Sequence, residues 1–167
     1  MNVIKNYITN KAFDWADAEK NDQNSVAGFI IRHVEQVGEL RDAQIEAIKV
    51  YLWLKCVADN KPLVDIFKQQ YPDHEGDSLT TLSVDLANEL DNKKLLKFAK
   101  DASIDEIESF FIDAFGGYQN ISNILFSLPM GAGKTFVMAS MIYIDLYFNL
   151  NNNDSRFAKN FLIFAPS

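Results

Sequence analysis

Residues 131–135, Gly-Ala-Gly-Lys-Thr, combine types and spacing that suit one definite chemistry, the gripping of a phosphate group. Such a grip has three requirements. Backbone amides must converge on the anion, which needs residues that tolerate unusual dihedrals and close approach. A helix must begin at the same point, so that its unpaired N-terminal amides and its dipole favour negative charge. A lysine must reach the β and γ phosphates, and a hydroxyl must be placed for Mg2+. Gly131, Gly133, Lys134 and Thr135 supply these groups in order. The general pattern also has a glycine where this chain carries Leu128; Pro129 follows and can fix φ at that turn instead.

Other chemistry-bearing side chains form no constellation. His33 and His74 are isolated, without a partner at metal-ligand or acid–base spacing. Cys56 lies on the apolar stripe of a helix and reads as a packing residue. As the single cysteine it excludes an internal disulfide and suits a reducing compartment. The acids between Asp101 and Glu108 sit at a helix start, where the dipole favours carboxylates without any catalytic role. Trp15 and Trp53 offer surfaces for base stacking, but core or interface burial accounts for them more simply. The sequence shows no Ser–His–Asp set, metal-ligand cluster or nuclease carboxylate pattern.

The elements that must position the loop are mostly helical. Residues 1–40 are weakly patterned, and 18–28 (AEKNDQNSVAG) read as a polar loop. Between Asp42 and Asn60, Ile45, Ile48, Leu52 and Cys56 recur at helical steps, with Asp42 available as a cap. Pro62 opens a short helix through Gln70, followed by a loop over 71–78. Leu86, Leu90, Leu95 and Phe98 predict one amphipathic helix from about Val84 to Lys100. Ser103 and Glu106 form a capping box for a helix carrying Ile107, Phe110, Phe111 and Ala114, which ends at Gly116-Gly117.

The texture changes at Tyr118. Residues 120–128 (NISNILFSL) are a short apolar run that suits a buried strand. The stretch from Gly133 to Leu150 is apolar almost all round and reads as a buried helix, and 160–166 (NFLIFAP) as a second buried strand. Strand, glycine loop, helix, strand is a βαβ unit, the building block of parallel sheets. Two strands cannot cover their own faces and edges, so the chain is expected to be the front part of a longer protein.

The loop without its first glycine resembles motif I of superfamily-two helicases and translocases. Residues 40–48 (LRDAQIEAI) resemble the Arg-x-x-Gln segment that opens the motor core of the DEAD/DEAH helicase-like restriction subunits, and 161–167 (FLIFAPS) resemble the strand and start of motif Ia. The family resembled is the helicase-like group containing type III restriction enzyme subunits and related phage-defence motors. That resemblance implies an α/β fold: a helical N-terminal region, 1–117, then the start of a RecA-like P-loop parallel sheet, 118–167, with its first βαβ unit only. It implies ATP and Mg2+ as cofactors. The Gly131, Ala132, Gly133, Lys134 and Thr135 backbone would hold phosphate oxygens, Lys134 the β/γ phosphates and Thr135 the metal through its hydroxyl. Gln44, with Arg41, would read the adenine edge, since an amide side chain presents a donor and an acceptor together. Ser167 would touch nucleic acid. Gly131 lies 87 positions after Gln44, and the helices from Pro62 to Phe115 would be an inserted subdomain or, alternatively, would make Gln44 an ordinary surface residue.

The implied activity is an ATP-dependent DNA helicase or translocase of a restriction or phage-defence system, cytoplasmic, partnered by DNA and by a methyltransferase or other restriction subunit. Turnover needs a water-polarising carboxylate pair and second-lobe arginines, which in this family come later in the chain, so residues 1–167 are expected to bind without hydrolysing. Another P-loop NTPase or kinase, or a non-enzymatic helical interaction module with a vestigial loop, remain open. Bulk composition sets limits: 48% hydrophobic and 23% charged residues describe a globular chain, able at this length to bury roughly 70% of its unfolded surface. A net charge of −7 repels phosphate backbones, so any nucleic-acid contact must be local. No stretch is apolar and unbroken enough to be a signal peptide or to span a bilayer.

Overall fold

A computed structural model describes residues 2–36, 40–71, 78–115, 126–128 and 130–163. All regular structure among them is α-helical: α1 Asn2–Asn21, α2 Val26–Gln36, α3 Asp42–Cys56, α4 Leu63–Gln70, α5 Ser78–Glu89, α6 Lys93–Asp101, α7 Ile104–Ala114 and α8 Lys134–Asn152. The expected α/β class with a RecA-like parallel sheet is therefore corrected: the described residues contain no strand. Residues 126–128 and 160–163, the described parts of the two expected strands, are irregular; the rest of both runs lies outside the described residues. The physical reason is that a strand satisfies its backbone only through neighbouring strands, and the described residues offer none. Phe161, Leu162 and Ile163 lie exposed, Leu162 at 79%.

The chain divides into two compact units. The first comprises Met1–Ile8 and Asn60–Ile124, so it takes the opening residues of α1 together with α4–α7. Its core is Ile4, Val64, Phe67, Tyr71, Leu79, Leu82, Leu86, Ile107 and Phe111. Helix α5 packs on α4, α6 and α7. Tyr7 sits edge-on to Tyr71 at 4.9 Å between ring centroids, and the Tyr71 hydroxyl donates to Asp85. The run expected as one helix from Val84 to Lys100 is two. Asp91 takes a positive φ of 46° and Asn92 caps α6, its side chain accepting from the Lys94 and Leu95 amides at 3.1 Å each. Pro62 stands just before α4 as its cap residue rather than inside it. The capping box at Ser103 and Glu106 is present, as expected. The Gly116-Gly117 stop and His74 lie outside the described residues.

The second unit comprises Thr9–Asp59 and Leu125–Ser167, holding the rest of α1 with α2, α3 and α8. The polar loop expected at 18–28 shrinks to a turn at 22–25, because α1 and α2 are ordered on either side of it. Gly28 explains how close these helices come: a Cβ there would lie 2.1 Å from the Glu19 carbonyl oxygen. Ala16, Ala27, Ile31, Ile48, Leu52, Ile144, Phe148 and Phe157 form the core, and the Phe148 and Phe157 rings stack at 4.3 Å. Each large apolar side chain buried there contributes roughly 1.5–3 kcal/mol. Glu35 of α2 accepts from Lys20 of α1 at 3.0 Å and Lys49 of α3 at 2.7 Å. Burial pushes the Glu35 carboxyl up, and the two ammonium groups outweigh it, leaving its pKa lowered. Helix α8 is not buried all round: Phe136, Met138, Tyr143, Tyr147 and Leu150 are exposed.

Candidate phosphate-binding site

The loop reaches α8 through two glycines with positive φ, Gly131 at 77° and Gly133 at 71°. An L side chain in that region costs roughly 1–2 kcal/mol, so glycine is what lets the backbone reverse twice within three residues. Ala132 between them is buried and anchors the turn, while Met130, Gly131 and Gly133 face solvent. Gly133 is the N-cap of α8 and offers no side-chain cap; the Phe136 and Val137 amides bond to its carbonyl at 3.0 and 3.2 Å. Lys134 and Thr135 are the first two residues of the helix and both are exposed. The Phe136 amide is thus taken, and those of Lys134 and Thr135 are the first-turn amides that a helix leaves without a partner of its own. No acid stands in the first turn of α8 to repel an anion.

Arg41 and Gln44, distant in sequence, meet this loop. The Arg41 guanidinium donates through Nη1 to the Gly131 carbonyl. Gln44 donates through Nε2 to the Gly133 carbonyl at 3.4 Å, and its Oε1 accepts the Arg41 backbone N–H at 2.8 Å. The second bond closes the first turn of α3, whose N-cap is Arg41, not Asp42. Gln44 is buried, 5% exposed, and a Cβ on Gly133 would lie 2.5 Å from its Nε2. Every residue named from the sequence for phosphate or base contact thus lies around one helix start, except Ser167, which is outside the described residues, as is Pro129.

These residues fit a triphosphate: glycines at the turn, a helix start without a cap, a cation and a hydroxyl in its first turn. On the metal side the Thr135 hydroxyl stands in the first turn of α8, and no group of three or more His, Cys, Asp or Glu among the described residues could hold a metal ion.

Sequence reasoning missed Asp145. This carboxylate on α8 is 2% exposed, accepting from the Tyr51 hydroxyl at 2.6 Å and the Ala158 amide at 3.0 Å, with the Lys55 ammonium at 3.6 Å. Burial and the bonded carboxylate push the Tyr51 phenol well above its ordinary pKa. Asp145 stands ten residues beyond Thr135, about 15 Å along the helix axis, so it serves packing rather than the phosphate end. A lone Asp inside an otherwise apolar run was the available signal. Cys56 is half-buried; burial lifts its thiol to about 11, which keeps it unreactive. His33 is exposed, its ring stacked at 6.2 Å on Phe29. Trp53 is buried, as packing requires.

No protein-family model matches the chain, and no curated protein or solved structure matches it either. No helix among the described residues is long and apolar enough to cross a membrane.

Proposed function

We propose that this chain binds the triphosphate of Mg-ATP through Gly131–Thr135, as part of an ATP-dependent DNA helicase or translocase of a restriction or phage-defence system. The observation that carries the nucleotide half is the uncapped start of α8, where two positive-φ glycines precede Lys134 and Thr135. Lys134 supplies charge to the β and γ phosphates, Thr135 an oxygen to the metal, and the Lys134 and Thr135 amides bond the phosphate oxygens. The motor half rests on the resemblance of residues 40–48, 128–135 and 161–167 to helicase segments. No carboxylate stands ready to polarise water beside Lys134 among the residues named, so binding without turnover is expected.

A second reading has one observation in its favour. The described residues hold no strand beside the loop, as would suit a non-enzymatic helical interaction module with a vestigial grip. Calorimetric titration with Mg-ATP separates the two. The wild-type chain should bind, and Lys134→Ala should weaken binding about tenfold to a hundredfold, the range for a lost charge-assisted hydrogen bond. No heat at millimolar nucleotide, or equal binding by the variant, would leave the module reading in possession.

A further inference from the structure

We infer that Arg41 and Gln44 are positioning residues that clasp the glycine loop, and that they do not read the nucleobase. The inference rests on the phosphate role of residues 131–135 and names what holds that grip in shape.

An amide side chain has one oxygen to accept with and one NH2 to donate with. Reading adenine requires both ends to be presented together to one base edge. In Gln44 the two ends serve different peptide groups: Oε1 takes the Arg41 N–H at 2.8 Å and Nε2 gives to the Gly133 carbonyl at 3.4 Å. The side chain is also buried, so no base edge reaches it in this arrangement. Arg41 donates to the Gly131 carbonyl, the other positive-φ position.

The consequence follows from peptide geometry. In a trans peptide the C=O and the next N–H point in opposite directions. Drawing the Gly131 carbonyl toward the start of α3 turns the N–H of Ala132 away from it, while the Gly133 carbonyl, already aligned by the Phe136 and Val137 amides of α8 at 3.0 and 3.2 Å, takes Gln44 as a further donor. The clasp thereby fixes which way the loop's donors face before any anion arrives, which is what pre-organised anion binding needs. Gly133 is bound to this arrangement twice, by its φ of 71° and by the 2.5 Å that a Cβ would leave to Gln44 Nε2. Selection among nucleotides by these two side chains is then absent, and the chemical class gripped is any nucleoside triphosphate, or tripolyphosphate itself.

The experiment titrates wild type, Arg41→Ala, Gln44→Ala and Gln44→Glu with Mg-ATP, Mg-GTP and Mg-tripolyphosphate, and follows amide hydrogen exchange in all four proteins. Gln44→Glu keeps the oxygen that accepts from Arg41 and loses the donor to Gly133, so it separates the clasp from the helix start. The expected result is a loss of about two- to tenfold, equal for all three ligands, with the ATP-to-GTP ratio unchanged and faster exchange at residues 131–135. A loss confined to ATP would overturn the inference in favour of adenine reading, as would loop exchange unaltered in every variant. If the wild type binds none of the three ligands, the nucleotide proposal fails, while the exchange rates still decide for or against the clasp.

Discussion

Two helix starts in this chain solve the same problem in opposite ways. Each leaves its first amides without partners inside the helix. At α7 the chain closes the end with its own groups: the Ser103 N–H donates to Glu106 at 2.8 Å and the Ser103 hydroxyl accepts the Glu106 amide at 3.4 Å. Asp105 and Glu106 add negative charge in the first turn, and the bonds from Ser103 hold the Glu106 carboxyl below its ordinary pKa. At α8 the cap residue is Gly133, without a side chain; the first turn carries no acid, and Lys134 opens it. A cation at that end opposes the dipole unless an anion joins it. Lysine alone is not the signal, since α6 also opens with Lys93 and Lys94 but is capped by Asn92. What sets α8 apart is the missing cap, the missing acid and the lysine together. A start finished by its own residues is structural; one left open beside a cation is suited to a ligand.

The comparison breaks most visibly at Lys134. Lys134→Glu places at the α8 start the kind of charge that α7 already has. Thermal unfolding should show stability held or raised, by about 0.3–1 kcal/mol for a carboxylate near a helix N-terminus. Mg-ATP affinity in the same variant should fall more than a hundredfold, on the order of two lost factors of ten at 1.4 kcal/mol each. Stability and binding moving down together would mean that Lys134 is a structural residue. A smaller effect sharpens the other side. Ser103→Ala should destabilise the first unit by about 1 kcal/mol and lower its unfolding midpoint by roughly 4–8 °C. Its Mg-ATP affinity should stay within about twofold of wild type, as calorimetry would show, because Ser103 takes part in no ligand contact on this account.

Sequence reasoning reached the helices whose buried positions are large and regularly spaced. Ile48 and Leu52 declared α3, and the Ser103–Glu106 spacing declared the start of α7. It failed on α1 and α2, where Ala12, Ala16, Ala27 and Gly28 do much of the packing and small residues give little hydropathy contrast. It joined α5 to α6 because Leu86, Leu90 and Leu95 keep helical time across a break that Asp91 and Asn92 impose by turn chemistry. It read α8 as buried on every side, yet Tyr143 is 68% exposed and Leu150 77%: an apolar side chain fixes a preference, not a neighbour. The same over-reading turned residues 126–128 and 160–163 into strands. At the site, the turn into α8 was legible, since Gly131 and Gly133 both take a positive φ and Lys134 opens the helix. The meeting of Arg41 and Gln44 with that loop was not written in any local spacing, since 87 positions separate Gln44 from Gly131. Only the resemblance to helicase segments put those residues in one functional set, and it implied a contact with the base, where the structure shows bonds to the loop backbone.

Backbone amide NMR during a Mg-ATP titration tests the central claim most directly, because both helix starts report in one spectrum. The account predicts saturable shifts concentrated at Gly131–Thr135, with the Ser103–Glu106 amides unmoved. Shifts absent from residues 131–135 at millimolar nucleotide, or spread equally over both helix starts, would contradict it.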